Sequence, residues 1–374
     1  MEFRLSEEEK LIQETARQFV NRELITREGA FLKQNELFLP PGDPPLRELD
    51  AQLAQQLTKM ARRIGLFSLE IPEASDGQAL SMVARVLIHR EFGRTVLPIA
   101  PACVPALMAR SEHSGKLVAG EMALSLAFAQ LHQSGALEGL TTRFRETKDG
   151  YVLSNSELDV FDPLAEIFLL PAREEGSQRA GLFVLDRATT GVAVDSETDL
   201  TIDAQVGRLI LRECKLPKDR LLGFESEIAE LVAAEQLRIA ARCLGIATRC
   251  LATTLEHTKN RVTFGRRLAE RQGIQFKLAD LSIDLQTATW QTLDAAWHAD
   301  NDLPYFYAAA LAKKRAAKMA FDAADTAIQF HGGYGVTKEF PFETFYRETR
   351  MMRLLYGQES EMNRTKGERF LQGQ

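Results

Sequence analysis

The side chains best suited to chemistry lie in the last third of the chain. In "RVTFGRRLAERQGIQFKLADL", Arg261 stands just before Phe264 and Gly265, in a break between helical patterns that ends at Gln272. A guanidinium forks onto a pyrophosphate through paired N–H donors, and an aromatic face packs on a nucleotide ring, so this cluster suits the phosphates of a dinucleotide. The same residues also suit a plain helix-helix connection, with solvated arginines and Phe264 in the core. In "AIQFHGGYGVTKEFP", Gln329 precedes the pair Gly332 and Gly333 at a helix end. Paired glycines let a backbone approach a ligand closely, or end the helix in a left-handed turn. A phosphate loop of the βαβ dinucleotide type is excluded here, because that loop follows a strand and opens a helix.

Other residues read more quietly. Glu235 and Arg238 in "EQLRIAARCLG" sit at i and i+3, the spacing of a solvated helix ion pair. Arg347, Arg350 and Arg353 recur every third residue beside Glu343 and Glu348, and read as structural ion pairs rather than an anion site. The four cysteines, at 103, 214, 243 and 250, form no C-x-x-C pair. With six scattered histidines they offer neither zinc-ligand spacing nor a disulfide framework, and no metal is expected. Cys243 and Cys250 read as small core residues of a helix. The stretch from Arg350 to Phe370 is amphipathic and carries a glycine at its centre, in Tyr356-Gly357-Gln358.

These groups need elements to hold them. The 374 residues, 45% hydrophobic, suffice for two or three domains with buried cores. A net charge of −6 with dispersed basic residues argues against nucleic-acid binding, which needs concentrated Lys and Arg. The start, "MEFRLSEEEK", carries acids where a signal peptide needs a basic and then an apolar region, and no apolar run reaches membrane-spanning length. A cytoplasmic location with no membrane span is therefore expected.

From Leu5 to about Lys116, apolar residues recur at three and four, with Ser6 and Glu9 spaced as a capping box. "LFLPPGDPPL" and "IPEASDG" break that pattern as loops. Between about Ala119 and Glu225, short runs such as "EIFLLPA", "GLFVLD" and "RLILREC" are divided by turn residues, which predicts an antiparallel sandwich or barrel. Helical texture then returns in four long amphipathic segments. The expected fold is α+β and multi-domain: an N-terminal helical domain over 1–118, a central antiparallel β-domain over 119–225 and a C-terminal four-helix bundle over 226–374. Trp290 and Trp297, one heptad apart, are expected in the core or at a subunit interface.

The pattern R-x-T-F-G-x-x-L, then Q-x-I-Q-x-x-L-A-D, then Q-x-x-G-G-x-G and R-x-x-R, on a chain laid out as α, β, α, resembles the acyl-CoA dehydrogenase family. The resemblance is most specific in the C-terminal third. It implies FAD bound across a subunit interface, usually in tetramers, and a carboxylate that takes the α-proton of an acyl thioester while hydride leaves the β-carbon. Arg261, Thr263, Phe264 and Gln272 match positions that contact FAD from the neighbouring subunit; Gln329, Gly332 and Gly333 match another part of that site. Where many members carry the catalytic glutamate after the tyrosine of the terminal stretch, this chain has Gly357; Glu359 and Glu361 are shifted along and suit a solvated helix start. Some members place the base on the first bundle helix instead, and Glu235 matches that position, 26 residues before Arg261.

The β-domain departs from the family. Stretches that hold the flavin ring and pyrophosphate are replaced by "AQLHQSGA" (Ala129 to Ala136) and "DVF" (Asp159 to Phe161), leaving Gln130, Ser134 and backbone N–H groups as donors. Three readings follow. The chain is an FAD-dependent acyl-CoA dehydrogenase with Glu235 as base, acting on an acyl-CoA or other acyl thioester and passing electrons to a separate acceptor. Alternatively it is a non-catalytic or half-site subunit that completes the active site of a homologous partner in a hetero-oligomer. A thioester-binding protein without redox chemistry is the third.

Overall fold

The computed structural model describes residues 4–32, 51–97, 99, 104–131, 137–154, 156–199 and 205–371. The proline-rich loop, Cys103 and Ser134 lie outside them. Helices lead the chain: α1 (Glu7–Phe19), α2 (Glu28–Leu32), α3 (Ala51–Arg63), α4 (Met82–Phe92) and α5 (Ser114–Val118). At the head of α1 the Ser6 hydroxyl accepts from Glu9 N at 3.1 Å while Ser6 N donates to the Glu9 carboxylate at 2.7 Å, so the capping box forms.

Among the described residues ten strands follow: β1 (Leu124–Leu126), β2 (Arg143–Thr147), β3 (Gly150–Leu153), β4 (Ser156–Phe161), β5 (Ile167–Glu174), β6 (Ala180–Asp186), β7 (Val192–Asp199), β8 (Gln205–Leu211), β9 (Cys214–Leu216) and β10 (Leu221–Gly223). The larger sheet runs β10-β6-β5-β2-β3-β9, and the smaller β4-β8-β7. Pairing is antiparallel except along one edge of β5, where β1 and β2 pair with it in parallel. β5 and β6 are buried almost end to end, as strands covered on both faces must be, whereas β4 alternates. Inward residues of both sheets, among them Leu158, Val160, Phe168, Leu170, Phe183, Leu185 and Leu209, share one core. Each such side chain contributes about 1.5–3 kcal/mol on burial.

The remainder is helical: α6 (Glu225–Asn260), a hairpin of β11 (Val262–Thr263) and β12 (Arg266–Arg267), α7 (Gln272–Asp300), α8 (Phe306–His331), α9 (Phe342–Met352) and α10 (Glu359–Leu371). The fold is thus mixed, with helical, β and helical parts in chain order. No helix among the described residues is long and apolar enough to cross a membrane.

The chain divides into two compact units. One comprises Met1–Leu57, Ser81–Ala100 and Ala234–Arg353; the other comprises Thr58–Leu80, Pro101–Ala233 and Leu354–Gln374. In the first, α4 packs on α7, and the amides of Met82 and Val83 donate to the Asp300 carboxylate. Cys243 and Cys250 are fully buried in α6, as expected, and burial pushes both thiols up to about 12. Of the arginine run, Arg347 is paired with Glu343 at 2.9 Å, while Glu348 pairs with Arg242 of α6.

Candidate functional site

The hairpin that follows α6 is built to present its tip. Phe264 and Gly265 both take left-handed φ, +52° and +72°, between paired Val262–Arg267 and Thr263–Arg266. Two positive φ values are what a two-residue hairpin turn requires, but only the glycine takes them without strain. Phe264 pays a further penalty, for it is 98% exposed, so the core placement allowed for it does not occur. Arg271 braces the turn: its Nη2 donates to Thr263 O at 2.7 Å and lies 3.2 Å from Thr263 Oγ1. Its guanidinium also stands 5.9 Å from the centroid of the Phe264 ring.

Below the hairpin lies a cavity of about 510 Å³, lined by Arg261, Thr263, Gln329, Gly332 and Gly333 among others. Two segments almost 70 residues apart in sequence therefore bring five of the seven nominated cofactor residues together. The remaining two do not line it: Phe264 points to solvent, and Gln272 is exposed at the first turn of α7. Gly332 ends α8 at φ +60°, ψ −136°, a conformation that side chains avoid. A Cβ added at Gly332 or Gly333 would meet nothing within 4 Å, so the backbone there stands in open space. No carboxylate among the described residues pairs with Arg261, and none lines the cavity.

Three further lining or bracing residues escaped the sequence reading: Arg271, His257 and His331. His257 precedes Arg261 by one helical turn, a spacing that was readable. The contact of Arg271 with Thr263 depends on the hairpin and was not.

Glu235 lies within α6 and is 1% exposed, so it is not the solvated pair that its spacing suggests. Arg238 Nε reaches both carboxylate oxygens, at 2.9 and 3.0 Å, and its Nη2 closes on Oε2. Around it, Arg242 reaches Phe92 O, and His89 of α4 is buried; burial first, then Arg238, Arg85 and Arg242, hold His89 well below the ordinary imidazole range. Along one helix, the 26 residues from Glu235 to Arg261 span roughly 39 Å at 1.5 Å a residue. The two cannot meet at one reaction centre within a single chain.

In the other unit, Tyr356 and Gly357 are buried, with φ of +48° and +106°. Gly357 thus occupies backbone space that a glutamate would enter only under strain. Glu359 opens α10. The degenerate β-stretch is turned inward: Gln130 Oε1 accepts from Thr141 N at 2.6 Å, Gln130 Nε2 donates to Thr142 Oγ1 at 2.9 Å, and Thr142 Oγ1 donates to Ser156 Oγ at 3.1 Å. Asp159 is exposed on β4.

Family models of the acyl-CoA dehydrogenase C-terminal domain and N-terminal domain match residues 223–371 and 6–111. The (R)-benzylsuccinyl-CoA dehydrogenase of Thauera aromatica is 26% identical, over 96% of this chain and 94% of its own. Butyryl-CoA dehydrogenase from Megasphaera elsdenii superposes with a TM-score of 0.80 at 22% identity, covering 99% of this chain and 100% of that one. A chain of the ChsE4-ChsE5 complex from Mycobacterium tuberculosis superposes with a TM-score of 0.81 at 23% identity, covering 99% of both.

Proposed function

On the premise that the chain belongs to the acyl-CoA dehydrogenase family, oxidoreductases acting on CH–CH groups, we propose that it desaturates an acyl thioester between its α- and β-carbons. In this reading Glu235 takes the α-proton and FAD, when bound, supplies the acceptor for the hydride that leaves the β-carbon; the product is the α,β-unsaturated thioester. The observation that carries the cofactor part is the cavity, where a free guanidinium, two side-chain amide or hydroxyl groups and two glycines in open space converge from separate segments. These residues fit the group. Arg261 would hold a phosphate, the Gly332–Gly333 backbone would let a dinucleotide approach, and Phe264 would cover a ring. Arg238 would hold the Glu235 carboxylate in position through its contact with both oxygens.

The test is turnover of an acyl-CoA by the FAD-saturated protein with a dye as acceptor. Glu235→Gln should lower kcat by about 10²- to 10⁴-fold, the usual weight of a general base, while leaving thioester binding within a few-fold. An unchanged kcat would refute the assignment.

A second reading is favoured by the separation of Glu235 from Arg261 along α6, together with the inward bonding of Gln130. A chain whose clasp serves a different active site from its own base can lend that clasp to a homologous subunit, in an oligomer that shares each FAD between two chains. The Mycobacterium tuberculosis neighbour is by its name a complex of two differently named chains. This reading expects about one FAD per two chains, and only with the partner present. Full occupancy in a homo-oligomer, seen in the visible spectrum and native mass, would remove it.

A further inference from the structure

The reading above uses Arg261 and leaves two imidazoles of the same cavity without a task. His257 stands at i−4 from Arg261 on the last turn of α6, so the two side chains leave one helix face, and both line the cavity. His331 stacks beneath His257, with centroids 4.1 Å apart and planes at 27°. Phe340 and Phe342 close around His331 at 4.8 and 4.6 Å. His331 Nδ1 donates to Ala327 O at 2.7 Å, which leaves Nε2 as a bare acceptor. That atom is buried without a hydrogen-bond partner, in a residue only 4% exposed.

We propose that His257 is a second phosphate-binding cation of this cavity, one that takes up its proton only when an anion arrives. The proposal rests on the reading of the cavity as a dinucleotide phosphate site. Its charged and titratable surroundings are few. Arg261 faces His257 from α6, His331 from α8, and Tyr334 from the turn after it; no Asp or Glu is among the lining residues. In the free chain, burial and then Arg261 lower the pKa of His257, against its hydrogen bond to the Phe330 backbone; burial and His257 lower that of His331. Both shifts favour the uncharged rings in the free chain. A bound pyrophosphate reverses the balance: it screens Arg261 and attracts a charged imidazole, while the neutral face of His331 lies under the new cation.

The sign follows by linkage. The ligand raises the His257 pKa, so binding consumes a proton and tightens as pH falls, by at most about tenfold per pH unit for one proton, and levels off below the free-chain pKa.

The probe is FAD, whose pyrophosphate diester keeps a constant charge over the range, with ADP-ribose as the arm that engages the clasp without a flavin. Calorimetry between about pH 8 and pH 6, in two buffers of different ionisation enthalpy, reads both affinity and protons taken up. Wild type should tighten about tenfold, with close to one proton absorbed at the steepest point. His257→Gln should keep its affinity at the higher pH and lose the dependence; His331→Phe, which preserves the stack, should keep it. A wild-type slope in His257→Gln, or its loss in His331→Phe, would overturn the proposal. Binding that is tight but independent of pH would remove the role of His257 alone. Failure of both ligands to bind at any pH would sink the phosphate-site reading and this proposal with it.

Discussion

The hairpin tip at Phe264 and the segment around Gln130 were both nominated from the sequence as flavin contacts, and the fold treats them oppositely. At the hairpin, Phe264 is almost fully exposed on a strained turn, and Arg261 below it has no carboxylate partner among the described residues. Around Gln130 every nominated polar group that is described is already engaged: its amide ties Thr141 and Thr142 together, and Thr142 passes the bond on to Ser156. The contrast separates two states of a polar residue. A group left wanting a partner, on backbone that costs energy to hold, is prepared for something absent; a satisfied group in low-strain backbone is holding up the fold.

The largest test of this contrast is Arg261→Ala. A charge-assisted hydrogen bond contributes about 1.5–3 kcal/mol, so FAD affinity should fall roughly 10- to 150-fold while the thermal midpoint of the ligand-free protein barely moves. Titration of FAD fluorescence and a calorimetric melt give the two numbers. A large loss of stability with little loss of affinity would place Arg261 with Gln130, on the structural side.

Gln130→Ala should do the reverse. Removing the amide leaves the Thr141 amide and the Thr142 hydroxyl short of a partner, at a cost of about 1 kcal/mol each where no water replaces it. Flavin affinity of the folded protein should stay within about twofold, since the amide already bonds inward. Chemical denaturation measures the first, and a marked drop in affinity would show that Gln130 turns outward to a ligand after all.

The broad α, β, α order was legible because period is a local property: "EIFLLPA" and "GLFVLD" can hardly be anything but buried strands, and Ser6 with Glu9 declares a helix start. Strands β2 and β4 were harder to read, because "RFRET" and "SELDVF" bury few of their side chains. The parallel pairing of β1 and β2 with β5 is non-local, and no short window of sequence carries it. The site divides in the same way. The motif residues Arg261, Gln329, Gly332 and Gly333 could be nominated by type and order, and they do converge. What Gln130 bonds depends on the fold that brings Thr141 and Thr142, just ahead of β2, against it, and the burial of Glu235 depends on what packs over α6, so neither could be judged from spacing. A solvated i,i+3 pair and a buried one have the same sequence.

The smallest effect is the most discriminating. Phe264→Ala removes a large apolar ring that is 98% exposed, so a purely structural residue at that place would change stability by no more than about 0.5 kcal/mol, in either direction. In the ligand-free protein that is the expected result, or a slight gain, because a solvent-facing ring on a left-handed backbone contributes no packing. With FAD present the same substitution should cost the ring's contact with the cofactor, about 1 kcal/mol or a few-fold in Kd. The two measurements use one variant, and the difference between them is the quantity of interest. A stability loss of several kcal/mol without ligand would mean that the ring is covered in the native oligomer by protein rather than by cofactor. The hairpin would then be an assembly device, and its contrast with Gln130 would lie between two structural roles instead of between a structural role and a binding one.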